Sequence, residues 1–329
     1  MRIRRIGVVG AGTMGASLAG LFAFNELPVS LRDLSPELLE RGLRRVRAQV
    51  DALVRFHAER AEREIVRIEA LGLRLDRDQK ETIRHRLAPK VDRARGDAIC
   101  ARIETTTDFA GFESVEFAVE AVFEEERVKR TALEELDRVL PEHAVIGSNT
   151  SSLSITRLAR GLGHVRTTLV THFFNPPQTL PLVEVSGGVD TSEATVSETL
   201  EFLGGLRNHR SPLVPIRVQE SPAFVVNRLL LPILNEACFL LEEGIAGARE
   251  IDQAMKAGAG FPMGPFELAD WVGLDVTHEV AATLAREFGD PKYRPAYSLR
   301  RLVDAGHLGR KTGSGFYEYP VEDDPAPAR

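Results

Sequence analysis

At 329 residues, 43% hydrophobic and 27% charged, the chain suits about two folded domains with sizeable cores. A net charge of -6 argues against a nucleic-acid partner, and no apolar run reaches the ~18 residues of a membrane span. Two cysteines, Cys100 and Cys238, without metal-ligand spacing, and only five residues (Ile6 to Gly10) behind the basic start, give neither a disulfide framework nor a signal core, so a cytoplasmic protein is expected.

The charge is unevenly placed. Residues 34–100 carry a net +4 and the remainder -10, which hints at an anionic ligand or simply a solvated helix face. Arginine outnumbers lysine 36 to 6, which reads as codon bias or heat adaptation.

The first 35 residues read as strand, turn, helix, strand. Ile6 to Gly10 is a short apolar run, Gly10 to Gly15 is glycine-rich, Ala16 to Phe24 suits a buried helix, and Val29 to Arg32 is a second strand. From Pro36, Leu39, Leu43, Val46, Val50 and Leu53 recur at helical spacing, and Ala61, Ile65 and Ile68 continue the stripe until Gly72 ends it. Asp78 can cap a second helix carrying Ile83, Leu87 and Val91, so residues 36–95 should form an antiparallel helical hairpin. His57 and His85 on it read as solvated. Strands follow at Ile103 to Thr106 and Glu116 to Val119, then a helix at Arg127–Leu140, then strands at Ala144 to Gly147, Thr167 to Thr171 and Leu182 to Val185. Alternation of this size predicts a doubly wound, mostly parallel sheet. Beyond residue 219 the pattern is all helical, over Val225–Glu243, Arg249–Ala257, Phe266–Phe288 and Tyr297–Ala305, and the acidic end from Pro320 to Arg329 should fray. The expected α/β architecture is therefore a Rossmann-type domain (1–219) with a helical-hairpin insertion, followed by an all-α domain (220–329).

Gly10-Ala11-Gly12-Thr13-Met14-Gly15 is a G-x-G-x-x-G between a strand and a helix, and Asp33 ends the next strand. Gly10 permits the turn, Gly12 lets a pyrophosphate approach, and Gly15 lets helix and strand pack, with the helix N-terminus attracting the anion. Asp33 would accept the ribose hydroxyls and repel a 2′-phosphate, favouring NAD over NADP, a choice that Arg32 slightly weakens. The plain alternative is a glycine-rich turn without a ligand. Gly147 to Ser152 follows a strand, where its hydroxyls and amides could hold a ligand oxygen or cap the next helix. His172 ends a strand, and Glu184 lies between two valines twelve residues later. A carboxylate buried there needs a partner, and His172 is the natural one. Such a pair can serve as an oriented general base for hydride transfer from an alcohol, or can be purely structural. Gly309 to Thr312 imitates a P-loop end, but Arg310 replaces the required glycine and the next residues read as turn and strand.

Taken together, these residues resemble the L-3-hydroxyacyl-CoA dehydrogenases, particularly the bacterial 3-hydroxybutyryl-CoA type. The resemblance rests on residues 10–15, Ser-Asn-Thr-Ser-Ser-Leu at 148–153, His-Phe-Phe-Asn-Pro at 172–176, Leu-Val-Glu-Val at 182–185, Ser-Pro-Ala-Phe-Val-Val-Asn-Arg at 221–228, Gly-Phe-Pro-Met-Gly-Pro-Phe-Glu-Leu at 260–268, and residues 309–317. It implies His172 as catalytic base and Glu184 as its partner, with Ser151 and Asn227 holding substrate oxygens. For NAD it implies Gly10, Gly12, Thr13, Met14, Gly15, Asp33, Glu124, Lys129, Asn149, Ser151 and Asn175, with Lys311 reaching in from the tail. It also implies an acyl-CoA substrate, a helical hairpin that receives the CoA, and a homodimer formed through the helical domain. Two departures are visible: the stretch from Asp33 to Thr107 is longer than is typical, and Ala223 stands where glycine is more usual. Competing readings are a dehydrogenase of a free hydroxy acid such as gulonate or carnitine, and a non-catalytic crystallin-like binder. A lysine-dependent relative fits less well, since after Asn227 and Arg228 the next lysine is Lys256.

Overall fold

The computed structural model describes residues 3–320, so the expected fraying beyond Pro320 lies outside the described residues. The chain divides into two units, Met1–Val218 and Gln219–Arg329.

The first unit is built on one eight-stranded sheet. Its strands are β1 (Ile6–Val9), β2 (Val29–Arg32), β3 (Ile103–Thr106), β4 (Phe117–Glu120), β5 (Val145–Ser148), β6 (Thr168–Phe173), β7 (Leu182–Gly187) and β8 (Val214–Arg217), in the order β3-β2-β1-β4-β5-β6-β7-β8. Strands β1 to β6 are parallel, β7 is antiparallel to β6, and β8 is parallel to β7. β1, β2, β4 and β5 are buried at every residue. Burial on both faces explains why they read as unbroken apolar runs, not alternating ones. Helix α1 (Thr13–Phe24) is apolar on nearly all sides because Leu18, Leu21, Phe22 and Ala23 all enter the core.

The insertion differs from a simple two-helix hairpin. It contains α2 (Pro36–Ala58), α3 (Arg60–Glu69), α4 (Arg77–Arg86) and α5 (Arg93–Ala101), with α3 packed on α4 and α2 on α5. The expected long first helix is interrupted at Glu59, where the Arg63 guanidinium donates to the Phe56 carbonyl (2.7 Å) and lies over the Phe56 ring. Asp76, not Asp78, caps α4: its carboxylate accepts from the Gln79 N–H, and the Gln79 side chain accepts from the Asp76 N–H. His57 is buried, not solvated, whereas His85 is exposed. Burial, followed by Arg60, Lys90 and Arg95, pushes the His57 imidazole below its ordinary value.

Later in this unit come α6 (Glu126–Val139), the single turn α7 (Ile155–Leu158) and α8 (Glu193–Gly204). Both α8 and β8 escaped the sequence reading. In β8 the cause is Pro215, which reads as a breaker but is tolerated in this half-exposed edge strand.

The second unit holds α9 (Val226–Glu242), α10 (Ala248–Ala259), α11 (Pro265–Val272), α12 (Leu274–Phe288) and α13 (Tyr297–Asp304) around Leu234, Cys238, Phe266, Leu274 and Leu299. The segment expected as one helix over Phe266–Phe288 is two, because Gly273 adopts φ +105° between them. Arg310–Thr312 form a single 3-10 turn, and residues 313–317, expected as turn and strand, make only isolated bridges; Asp270 anchors the stretch by accepting from the N–H groups of Phe316 and Tyr317, both at 3.0 Å. Ala223 is fully buried at φ +63°, a left-handed conformation that costs an L-residue roughly 1–2 kcal/mol, which gives a physical reason for glycine there. No helix among the described residues is long and apolar enough to cross a membrane.

Candidate active site

The carboxyl ends of β1, β2, β4, β5 and β6 gather the first unit's candidate residues along one sheet edge, where open α/β sheets bind their ligands. At the β1–α1 turn Gly10 has φ +101°, and a Cβ there would stand 2.6 Å from the Ala121 carbonyl oxygen. A Cβ on Gly15 would lie 1.7 Å from the Gly10 oxygen, so helix and turn can meet only without a side chain. The space in front of Gly12 is open, Thr13 beside it is exposed, Met14 is partly so, and no side chain caps α1. Unpartnered N–H groups and the helix dipole there suit a pyrophosphate. Asp33 follows β2 and accepts from the N–H groups of Ala11 and Leu34, each at 2.6 Å, which pins it beside the glycine turn. Arg32 is turned aside, with its guanidinium 3.4 Å from Glu135 and over the Phe109 ring. These features fit a dinucleotide lacking a 2′-phosphate.

Beyond β4 and β5 lies a dense polar cluster. Glu120, the last residue of β4, is fully buried and accepts from Ser148 Oγ (2.6 Å), the Val122 N–H (2.7 Å) and Lys129 Nζ (2.8 Å). Lys129 on α6 is 1% exposed and also reaches the Val122 carbonyl (3.3 Å) and Glu124 (3.2 Å). Burial opposes the Lys129 charge, but Glu120 and Glu124 more than offset it and hold the ammonium above its ordinary value. Glu124 in turn accepts from Thr150 Oγ1 (2.6 Å) and the N–H groups of Ser151 (2.8 Å) and Ser152 (3.1 Å). Burial pushes its carboxyl up; Lys129 and these hydrogen bonds outweigh that and hold it below the usual carboxylate range. The cap of the next helix falls just outside residues 147–152, whose own side chains make other bonds. Ser154 caps α7, whereas Ser151 is tied to Glu124, and Asn149 Oδ1 accepts from the Phe173 N–H (2.9 Å), joining the ends of β5 and β6.

Antiparallel pairing sets His172 directly opposite Glu184. His172 Nδ1 lies 2.8 Å from Glu184 Oε2, with the imidazole 6% exposed and the carboxylate at 0%. A proton on Nδ1 makes this a hydrogen bond to the carboxylate and leaves Nε2 as the ring's basic nitrogen. The Phe174 ring lies 4.6 Å away, tilted 59° to the imidazole, and exposed Asn175 follows, joined to Pro176 by a cis peptide bond.

Asn227 and Lys311 belong to the second unit, where Asn227 lies in the first turn of α9 and Lys311 donates to Asp275. Sequence reasoning missed Glu120; Ser148 and Thr150 lay within the 147–152 stretch it singled out, but their carboxylate partners were not foreseen.

Glycine turn, Asp33, the polar cluster and an imidazole–carboxylate pair on one sheet edge define an NAD-dependent dehydrogenase. The sequence specifies which kind. Residues 5–71 and 69–219 match the profile of the 3-hydroxyacyl-CoA dehydrogenase NAD binding domain, and residues 224–319 that of its C-terminal domain. The chain is 37% identical to the 3-hydroxybutyryl-CoA dehydrogenase of Bradyrhizobium diazoefficiens over 318 residues, 96% of each chain. It is 34% identical to the mitochondrial hydroxyacyl-coenzyme A dehydrogenase of Sus scrofa, covering 96% of this chain and 91% of that one. The crystal structure of (S)-3-hydroxybutyryl-CoA dehydrogenase from Ralstonia eutropha superposes with a TM-score of 0.78 at 36% identity, covering 97% of this chain and 99% of that one. The chain belongs to the 3-hydroxyacyl-CoA dehydrogenase family.

Proposed function

We propose that this enzyme interconverts a short-chain L-3-hydroxyacyl-CoA, with 3-hydroxybutyryl-CoA as the leading substrate, and the 3-ketoacyl-CoA. The observation that carries the mechanism is the buried His172–Glu184 pair. When bound, NAD supplies the acceptor for the hydride leaving C3. His172 Nε2 takes the hydroxyl proton, and Glu184 steadies the imidazolium that results. One hydride and one proton leave the alcohol, which balances its conversion to the ketone. A positioned base of this kind contributes roughly 10² to 10⁴-fold, and holding the reactants in line contributes more. Ser151 and Asn227 hold substrate oxygens in this reading. Glu124, Lys129, Asn149, Asn175 and Lys311 serve the cofactor beside the glycine turn, and the basic helices α2 to α5 receive the CoA phosphates.

The exposed apolar residues Leu229, Ile245, Trp271 and Val276 of the second unit support a homodimer formed through that unit. Free Cys100 and Cys238 support a reducing, cytoplasmic setting. The test is NADH oxidation with acetoacetyl-CoA, run beside free acetoacetate and with NADPH in place of NADH. Turnover requiring both CoA and NADH is expected. Turnover of the free keto acid alone would transfer the assignment to a hydroxy-acid dehydrogenase, and tight NADH binding without turnover of either would favour a binding protein.

A further inference from the structure

We propose that Glu120 is a positioning residue that sets the cofactor site at the Ser151 loop through Lys129 and Glu124, an inference that rests on the reading above. Glu120 is the fixed point of the polar cluster. It ends β4 between β1 and β5, with its Cα in register with Ser148, and is fully buried. Its Oε2 accepts from Ser148, while Oε1 accepts from the Val122 N–H and Lys129, so neither oxygen is idle. The three Lys129 protons point to Glu120, the Val122 carbonyl and Glu124. Glu124, only partly covered, is held from one side by Lys129 and from the other gathers the backbone and hydroxyls of Thr150, Ser151 and Ser152.

Charge explains the direction of the effect. Lys129 divides its attraction between two carboxylates. Neutralising Glu120 leaves the buried ammonium with Glu124 alone, which draws Glu124 toward α6 and away from the Ser151 loop. A displacement of this size at a binding loop alters affinity and rate without abolishing the fold.

The test uses the full chain carrying Glu120→Gln, Glu124→Gln and both together. NADH dissociation constants are read by fluorescence, and amide hydrogen exchange is followed over residues 149–153 without ligand. Glu120→Gln should weaken NADH about tenfold and speed exchange in that loop. The double variant should bind no worse than Glu124→Gln alone, because both substitutions break the same chain of contacts. Ser148→Ala, which frees only one Glu120 oxygen, guards against a misfolded Gln variant and should weaken NADH about threefold. Multiplying effects in the double variant, or unchanged affinity in Glu120→Gln or Ser148→Ala, would overturn the proposal. Failure of the substrate reading would appear separately, as a wild-type enzyme that binds NADH but ignores acetoacetyl-CoA.

Discussion

Two buried carboxylates meet partners of different kinds. Glu184, inside β7, faces an imidazole, and Glu120, at the tip of β4, faces an ammonium. Each is fully buried and each needs a partner to be there. An imidazole bonded through Nδ1 keeps a second ring nitrogen, so the β6–β7 pair has the atoms that a proton transfer needs. The ammonium of Lys129 is held above its ordinary value, so the β4–α6 pair keeps its charge and does architecture. The type of partner, not the burial of the acid, separates the two.

Substitution should separate them too. His172→Ala removes the base and should lower kcat by roughly 10² to 10⁴-fold with NADH affinity retained, as read by steady-state kinetics beside fluorescence titration. A near-normal kcat would end the assignment. Lys129→Met strands Glu120 and Glu124 without their cation and should destabilise the fold by about 3–5 kcal/mol in urea unfolding. Glu184→Gln can still accept a hydrogen bond from His172, so its loss should fall on kcat far more than on stability. If Glu184→Gln unfolds the protein while Lys129→Met does not, the division of duties is reversed.

Acid offers a finer cut. Because the Glu124 carboxyl is held below its ordinary 4.5, its stabilising contribution is complete above that pH and disappears as the pH falls through the lowered value. The stability difference between wild type and Glu124→Gln, measured by thermal unfolding from pH 6 to pH 3, should close toward the acid end. The smallest effect should come from Ser148→Ala, at about 1–2 kcal/mol in the same urea assay, for one hydrogen bond to a charged acceptor.

The dinucleotide half of the fold was legible because its strands are continuous apolar runs and its glycines stand where no side chain fits. The His172–Glu184 pair was legible for a related reason: a valine-flanked acid in a strand demands company. The same argument applies to Phe117-Ala118-Val119-Glu120, yet Glu120 was overlooked because its cation comes from a helix turn beyond, with no motif linking them. Helix ends in the insertion misled where capping residues crowd together: Asp76 and Asp78 are equivalent by composition, and only the reciprocal bond from Gln79 distinguishes them. β8 was hidden by Pro215. His57 looked solvated because its helix is charged, but it falls on the same inward face of α2 as Val46 and Val50.

The antiparallel turn-back of β7 also bears on how such an enzyme could change. His172 and Glu184 are aligned by the β6–β7 ladder, so their pairing depends on strand register and not on the length of the chain that joins them. A slip of one residue in β7 would instead present Val183 or Val185 to the imidazole and turn the carboxylate to the other face. The match between imidazole and carboxylate is therefore guarded by register.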